Sequence, residues 1–290
     1  MRTPLVAGLL ATLALIGAAV AAPRGVELPE IVFAVNEGAT YSAGESPRLS
    51  YRAIADDIGR LINARVRIEP IVDYAALAQA LRERSVDLAL VHPTQISAAA
   101  VVSSDYQPLV VSSAHAAYRP YFLCRPGFAS SLDDVVRALQ KPGAKPIGLP
   151  AVNSITSIMA RAALSDAVGR QSGAHPPTYK YTRYQDAVVS MIDYGFVDCS
   201  VTGSRSVADA WKAAGGRVFE AAQTAPVKTV LISRKFEGET QALRHYFTAL
   251  ASSGDARTKL ERIGLPNGFS ALDGSRFSEL NAWLKRGEVH

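Results

Sequence analysis

Asn153-Ser-Ile-Thr-Ser157 packs hydroxyl and amide side chains into a short turn. The turn lies between the apolar run Lys145-Pro-Ile-Gly-Leu149 and the helix-periodic run Ile158-Met-Ala-Arg-Ala-Ala-Leu164. An apolar strand, a polar turn and a 3.6-periodic segment in that order deliver the chain to a helix N-terminus. There the first backbone N–H groups have no intrahelical partner, and the macrodipole places partial positive charge at the tip. Asn153, Ser154, Thr156 and Ser157 add side-chain donors, so the tip suits a small oxyanion. Ordinary helix capping uses the same residue types, so this stretch alone leaves both readings open.

Other candidate contacts stand where apolar runs end. His92-Pro-Thr94 follows Val86-Asp-Leu-Ala-Leu-Val91. Thr94 offers a hydroxyl, and His92 would donate to an anion when protonated, its ordinary pKa being near ~6.5; a packed histidine fixing a turn is the alternative. Tyr41 lies in the glycine-punctuated loop Asn36–Gly44, where its hydroxyl would cover a ligand. Tyr118 opens the extended segment Tyr118-Arg-Pro-Tyr-Phe-Leu-Cys124. Tyr184 and Gln185 precede a helical pattern, while Thr202 and Ser204 follow the run Phe196–Val201. Arg48 would either pair with an anion or be solvated, and Asp87 and Asp198 cap or pair near strand ends. The five histidines show no metal-ligand spacing with one another or with the cysteines. No G-x-S-x-G elbow, Walker loop or G-x-G-x-x-G occurs, so neither an enzyme nor a cofactor is expected.

The elements that position these residues alternate. Ile31–Val35, Val66–Val72, Val86–Val91 and Leu109–Ser112 are predicted strands. A helix from Ser46-Pro47 to Asn63 carries Leu49, Ile54, Ile58 and Leu61 on its apolar face, and a second is capped by Asp73. This is an α/β pattern of βαβ units. Residues 22–117 form a first lobe, 118–224 a second, and 225–290 return to the first through the strand Val227–Ile232. Two crossing strands then join the lobes, with a ligand cleft between them at the carboxyl ends of strands.

The first residues read as a secretory leader over 1–21: Arg2, an uncharged apolar run from Leu5 to Val20, and a small-residue cleavage site ending at Ala21. Its removal lowers the formal net charge from +5 to +4. The basic residues are scattered without an aromatic stripe, which argues against a nucleic-acid partner and leaves a weak attraction for a small anionic ligand. In an oxidising compartment, Cys124 and Cys199 would form one disulfide or remain two buried thiols.

Four features taken in order resemble the phosphate/phosphonate-binding group of periplasmic solute-binding proteins of ABC importers. They are the helix from Ser46-Pro47, Asp73-Tyr-Ala-Ala-Leu77, Val86-Asp-Leu-Ala-Leu-Val-His-Pro93 and Asn153-Ser-Ile-Thr-Ser157. The last is similar to the group's Ser-Thr-Ser anion-binding turn, and Gly195-Phe-Val-Asp-Cys199 to its G-x-V-D-A step. Ile155 splits the hydroxyls, and Tyr184-Gln185 stands where many members carry Ser-His. The resemblance implies a monomeric, two-lobed type II-like binding protein of the periplasm. It would capture phosphate, phosphite or a phosphonate and deliver it to a membrane permease. The alternative is a ligand sensor reporting to a membrane receptor or histidine kinase. The ligand contacts implied are Tyr41, His92, Thr94, Tyr118, Asn153, Ser154, Thr156, Ser157, Tyr184 and Thr202.

Overall fold

A computed structural model describes residues 28–38, 46–185, 187–252 and 254–289. The expected leader and Tyr41 lie outside the described residues. Strands β1 (Glu30–Asn36), β2 (Arg65–Pro70), β3 (Leu88–Val91) and β4 (Tyr106–Ser112) alternate with helices α1 (Pro47–Ser50), α2 (Arg52–Leu61), α3 (Tyr74–Arg82) and α4 (Thr94–Val102). The middle of the chain runs β5 (Tyr121–Cys124), α5 (Leu132–Leu139), β6 (Ile147–Leu149), α6 (Ile155–Gly169), β7 (Tyr179–Tyr181), α7 (Ala187–Asp193), β8 (Cys199–Thr202), α8 (Arg205–Ala213) and β9 (Arg217–Glu220). The last part is β10 (Thr229–Ser233), α9 (Thr240–Ala249), α10 (Gly254–Arg262), β11 (Phe269–Ala271) and α11 (Phe277–Lys285).

These strands form two sheets, ordered β11-β4-β10-β3-β1-β2 and β7-β6-β8-β5-β9. Each sheet has apolar clusters on two faces, as a sheet wrapped by helices must. The result is a two-lobed α/β molecule. Strand β10 runs antiparallel to both β3 and β4, with Thr229 opposite Val91 and Val111. The start of β10 therefore lies beside the carboxyl ends of those strands. Between the sheets the two passes of the chain pair: Tyr118 and Ala225 exchange N–H···O bonds of 3.0 and 2.9 Å.

Local details depart from the sequence expectations for physical reasons. The single helix expected from Ser46 to Asn63 is split at Tyr51, and Leu49 and Leu61 face solvent (54% and 45% exposed). Tyr51 takes their place in the core. Its ring meets Phe33 edge-on at 6.0 Å and its hydroxyl donates to Glu37. Strands β9 and β11 are edge strands too short and too mixed in polarity to show a period of two. The segment after 225 contributes β10 and β11 to the six-stranded sheet. Helix α11, however, does not bury its face there alone. Leu280, Trp283 and Leu284 join the core around α6 of the other lobe, and Trp283 Nε1 donates to Asp166 at 2.8 Å.

Antiparallel pairing of β5 and β8 sets Cys124 opposite Cys199, and the two are bonded as a disulfide. Both are almost wholly buried, within a lobe and away from the crossing strands. Tying residues 75 apart in sequence stabilises by about 4 kcal/mol on the chain-entropy account. A Cys124→Ala/Cys199→Ala variant is therefore expected to unfold at a clearly lower temperature than the oxidised protein. Thermal unfolding with and without reductant checks this, and the reductant should leave the double variant unchanged.

Candidate functional site

The rim of the second lobe is built on the N-terminus of α6. Ser154 is its N-cap, and its Oγ accepts from the Ser157 amide at 3.2 Å. The Ser157 hydroxyl is wholly buried and donates to the Pro150 carbonyl at 3.1 Å, which holds the turn against the end of β6. Ile155, between the hydroxyls, points into the lobe's core with 4% exposure. That leaves the amides of Ile155 and Thr156 as the leading N–H groups of the helix, without intrahelical acceptors. Thr156 is buried, and its hydroxyl shares a hydrogen bond with that of Tyr118. Asn153 is exposed at the tip of the turn.

Tyr118 connects this tip to the crossing strands. Burial raises its phenol pKa despite hydrogen bonds from Thr156 and Gln185. Gln185 accepts in turn from the Gly203 amide at 2.8 Å. A Cβ at Gly203 would lie 1.6 Å from the Tyr118 hydroxyl oxygen, so only glycine leaves room for it. Thr202, at the end of β8, is buried and accepts from the Ser204 amide at 3.1 Å. Tyr184 is 63% exposed and lies under the Arg183 guanidinium, outside this cluster.

The first lobe presents the end of β3 and the start of α4. Thr94 is wholly buried, and its hydroxyl donates to the Pro226 carbonyl at 2.7 Å, so its single proton serves the crossing strand. The next residue, Gln95, donates from Nε2 to the Asn153 carbonyl at 3.4 Å. The two rims therefore touch at the α6 turn. His92 packs its ring against Gly38, where a Cβ would come within 2.7 Å. Its Nδ1 is buried without a partner among the described residues. Burial, reinforced by the charge of Lys228 and by His115, lowers the His92 pKa to about 4. Burial therefore favours an uncharged imidazole at neutral pH, in keeping with the packed histidine, one of the two expectations from the sequence. His115, near Ser112 Oγ at 3.0 Å, is shifted down in the same way by burial and Lys228.

Three residues on these rims escaped the motif reading. Gln95 adjoins Thr94 but has no pattern of its own. Lys228 opens an apolar run and reads as a solvated flank. Arg161 sits among helix-periodic apolar residues, yet it is only 5% exposed. Its guanidinium donates to the Gly287 carbonyl at 2.6 Å, the Val152 carbonyl at 3.0 Å and the Tyr181 hydroxyl at 3.2 Å. It thereby ties the chain beyond α11 to the turn that precedes Ser154. Arg48 is exposed, and Asp87 and Asp198 are paired with Lys235 and with Lys145 and Arg125, as strand-end carboxylates.

Comparison with known proteins agrees with this architecture. A family model described as the periplasmic substrate-binding protein of phosphonate ABC transporters matches residues 40–277. No curated protein matches the chain in sequence. Among solved structures, XAC2383 from Xanthomonas citri bound to ATP is similar at a TM-score of 0.65 and 16% identity, over 89% of this chain and 98% of that one. PhnD1 from Prochlorococcus marinus in complex with methylphosphonate gives 0.60 and 11%, over 89% and 97%. A binding protein component of an ABC phosphonate transporter from Pseudomonas aeruginosa gives 0.53 and 15%, over 90% and 88%.

The buried histidine makes a pH-dependent stability. Above pH 6.5 His92 is neutral in both folded and unfolded chains; below it the unfolded chain takes up a proton that the folded one refuses until about pH 4. Stability therefore falls as pH drops through that window, by up to roughly 3 kcal/mol from this group. Denaturant unfolding across the window should show a shallower fall for His92→Asn than for the wild type. An unchanged slope would mean that His92 titrates normally.

Proposed function

The chain belongs to the family of phosphonate-binding periplasmic substrate-binding proteins of ABC transporters, and from that premise we propose that it captures a small phosphorus oxyanion between its lobes and delivers it to a membrane permease. The observation that carries this reading is the α6 tip. Its Ser154 cap, its two leading amides and the Thr156 hydroxyl stand together, and Gln95 of the other lobe meets the same turn. Backbone N–H groups at a helix N-terminus satisfy anionic oxygens with fixed dipoles that need no counter-charge. Asn153 completes the set on the open side, Ser154 holds the turn through Ser157, to whose Oγ it donates at 3.1 Å, and Tyr118 supplies a phenol hydroxyl from the crossing strand. The family is one of transport components that bind a substrate, so chemistry on the ligand is not part of the proposal. Phosphorus oxyanions held by two proteins of the same fold, methylphosphonate and ATP, are in keeping with this ligand class.

In this mechanism the ligand enters an open cleft and settles on the α6 tip. The rims then close around it by a hinge at the paired crossing strands, with Gln95 reaching Asn153 as the latch. The closed form presents both lobes to the permease in one fixed arrangement. Export through a leader over residues 1–21 places the protein in the periplasm.

Calorimetric titration with phosphate, phosphite, methylphosphonate and aminoethylphosphonate tests the ligand class. At least one should bind with a dissociation constant of about 1 μM or below. Ser154→Ala/Thr156→Ala should weaken that binding by roughly 100-fold or more, since hydrogen bonds to a charged group contribute about 1.5–3 kcal/mol each. Thr156→Val, which keeps the shape, should weaken it about tenfold. Binding of a carboxylate or amine with none of the four oxyanions would defeat the ligand assignment, and full affinity in the double variant would defeat the site.

A further inference from the structure

Four non-glycine residues of the described chain have positive φ: Asn63, Arg84, Ser104 and Lys228. The first three share one explanation. Each follows the C-cap of a helix, at the ends of α2, α3 and α4, where a left-handed residue closes the last turn. Lys228, at φ 59°, has no helix before it. It stands at the entrance to β10, where glycine would adopt the same conformation without strain. A strained residue kept at such a point directs attention to what its side chain does.

The backbone of Lys228 is clamped. Its amide donates to the His92 carbonyl at 3.2 Å, and its carbonyl accepts from the Ser112 amide at 3.1 Å, so the ends of β3 and β4 impose the conformation. Two residues earlier, Pro226 is held by Thr94, whose neighbour Gln95 touches the α6 turn. The backbone of Lys228 therefore stands at the ends of β3 and β4, two residues from the segment whose partner Thr94 adjoins the contact with the anion-suited tip. Lys228 is flanked by His92 and His115, the two imidazoles whose protonation its charge opposes. No carboxylate among the described residues forms an ion pair with it. Glu37, also past the end of a first-lobe strand, accepts from Tyr51 instead.

We infer that Lys228 is the charge-bearing contact of the cleft. Its ammonium pairs with the bound oxyanion from the first lobe while the α6 tip holds it from the second. An ammonium is a strongly hydrated point charge that serves well for phosphate-type oxygens. Two neutral histidines beside it add polar groups without a second full charge. Selection for an anionic headgroup over a neutral or amine-bearing one then resides in one side chain. This rests on the oxyanion reading above and adds to it the group that supplies the formal charge.

Glycine at this position separates charge from structure, because it relieves the backbone while removing the ammonium. Lys228→Gly should unfold at the same temperature as the wild type or higher. Its affinity for whichever of phosphate, phosphite, methylphosphonate and aminoethylphosphonate the wild type binds most tightly should fall by about 10- to 100-fold. Lys228→Arg should recover most of that loss and Lys228→Met none. In Lys228→Gly, NMR titration of His92 and His115 should move to higher pH, as expected when a nearby positive charge is removed. A Lys228→Gly protein that is stable and binds the anion as tightly as the wild type overturns the inference and leaves the oxyanion reading standing. Loss of affinity accompanied by an equal loss in Lys228→Arg and a drop in unfolding temperature assigns Lys228 a structural role and also overturns it. A wild type that binds none of phosphate, phosphite, methylphosphonate and aminoethylphosphonate removes the oxyanion reading, and the inference with it.

Discussion

The antiparallel bridge between Tyr118 and Ala225 is the constraint on which the rest of the cleft depends. It zips the outgoing and returning passes of the chain into one ribbon, through two backbone hydrogen bonds. Residues on either side of it are functional neighbours because the ribbon places them so. Tyr118 reaches forward to Thr156 on the second lobe, while Pro226 reaches back to Thr94 on the first. The Val227 amide donates to His115 and the Lys228 amide to His92, so both histidines are located from the ribbon outward. A ribbon of two extended strands bends at its few unpaired dihedrals and resists shear, which is the geometry the proposed hinge closure uses.

A third connection qualifies that freedom. Helix α11 follows β11 of the six-stranded sheet but buries Trp283 and Leu284 with α6, and packs also against α4. The helices whose N-termini form the two rims, α4 and α6, therefore share one packing partner on the side away from the strands. Arg161 extends this link through Gly287 to the Val152 carbonyl. A buried guanidinium among neutral acceptors is costly unless its donors are matched; here each of its three nitrogens has one acceptor among the described residues. Its charge adds to the positive potential behind the α6 tip.

Much of the fold could be read from the chain because β1, β3, β4 and β10 are short apolar runs with β-branched residues, and the helices carry clear stop signals. The parts that could not be read have specific causes. Tyr51 was hidden because an aromatic in a helical pattern gives no sign that it will break the helix to pack on Phe33. Strands β9 and β11 draw their identity from neighbours in the sheet. Among the site residues, those of the α6 turn were visible because capping chemistry is local. Thr94 was visible as a hydroxyl at a strand end, but its use of that hydroxyl on Pro226 is a contact 132 residues away in sequence. The same holds for Gln95, Arg161 and Lys228, whose roles arise from long-range placement. His92 was visible as a titratable group, whereas its neutrality is set by burial and by a lysine on the returning strand.

The insertion of Ile155 into the hydroxyl turn follows from these distances. An isoleucine in an anion-binding loop would be a defect if its side chain faced the cleft. As the first residue of α6, however, its side chain turns toward the core, where it lies with Ile158 and Trp283. Ser154 and Thr156 are then carried to either side of the helix axis, with the Ile155 and Thr156 amides between them. The apolar residue pins the first turn at a point where helices ordinarily fray. A turn anchored by burial, capped by Ser154 and tied down by Ser157 on Pro150 keeps its donors aimed before a ligand arrives. Donors fixed in advance lose little entropy on binding. In this chain the departure from the family's hydroxyl pattern supplies rigidity to the tip, while the charge proposed to face it belongs to the other lobe.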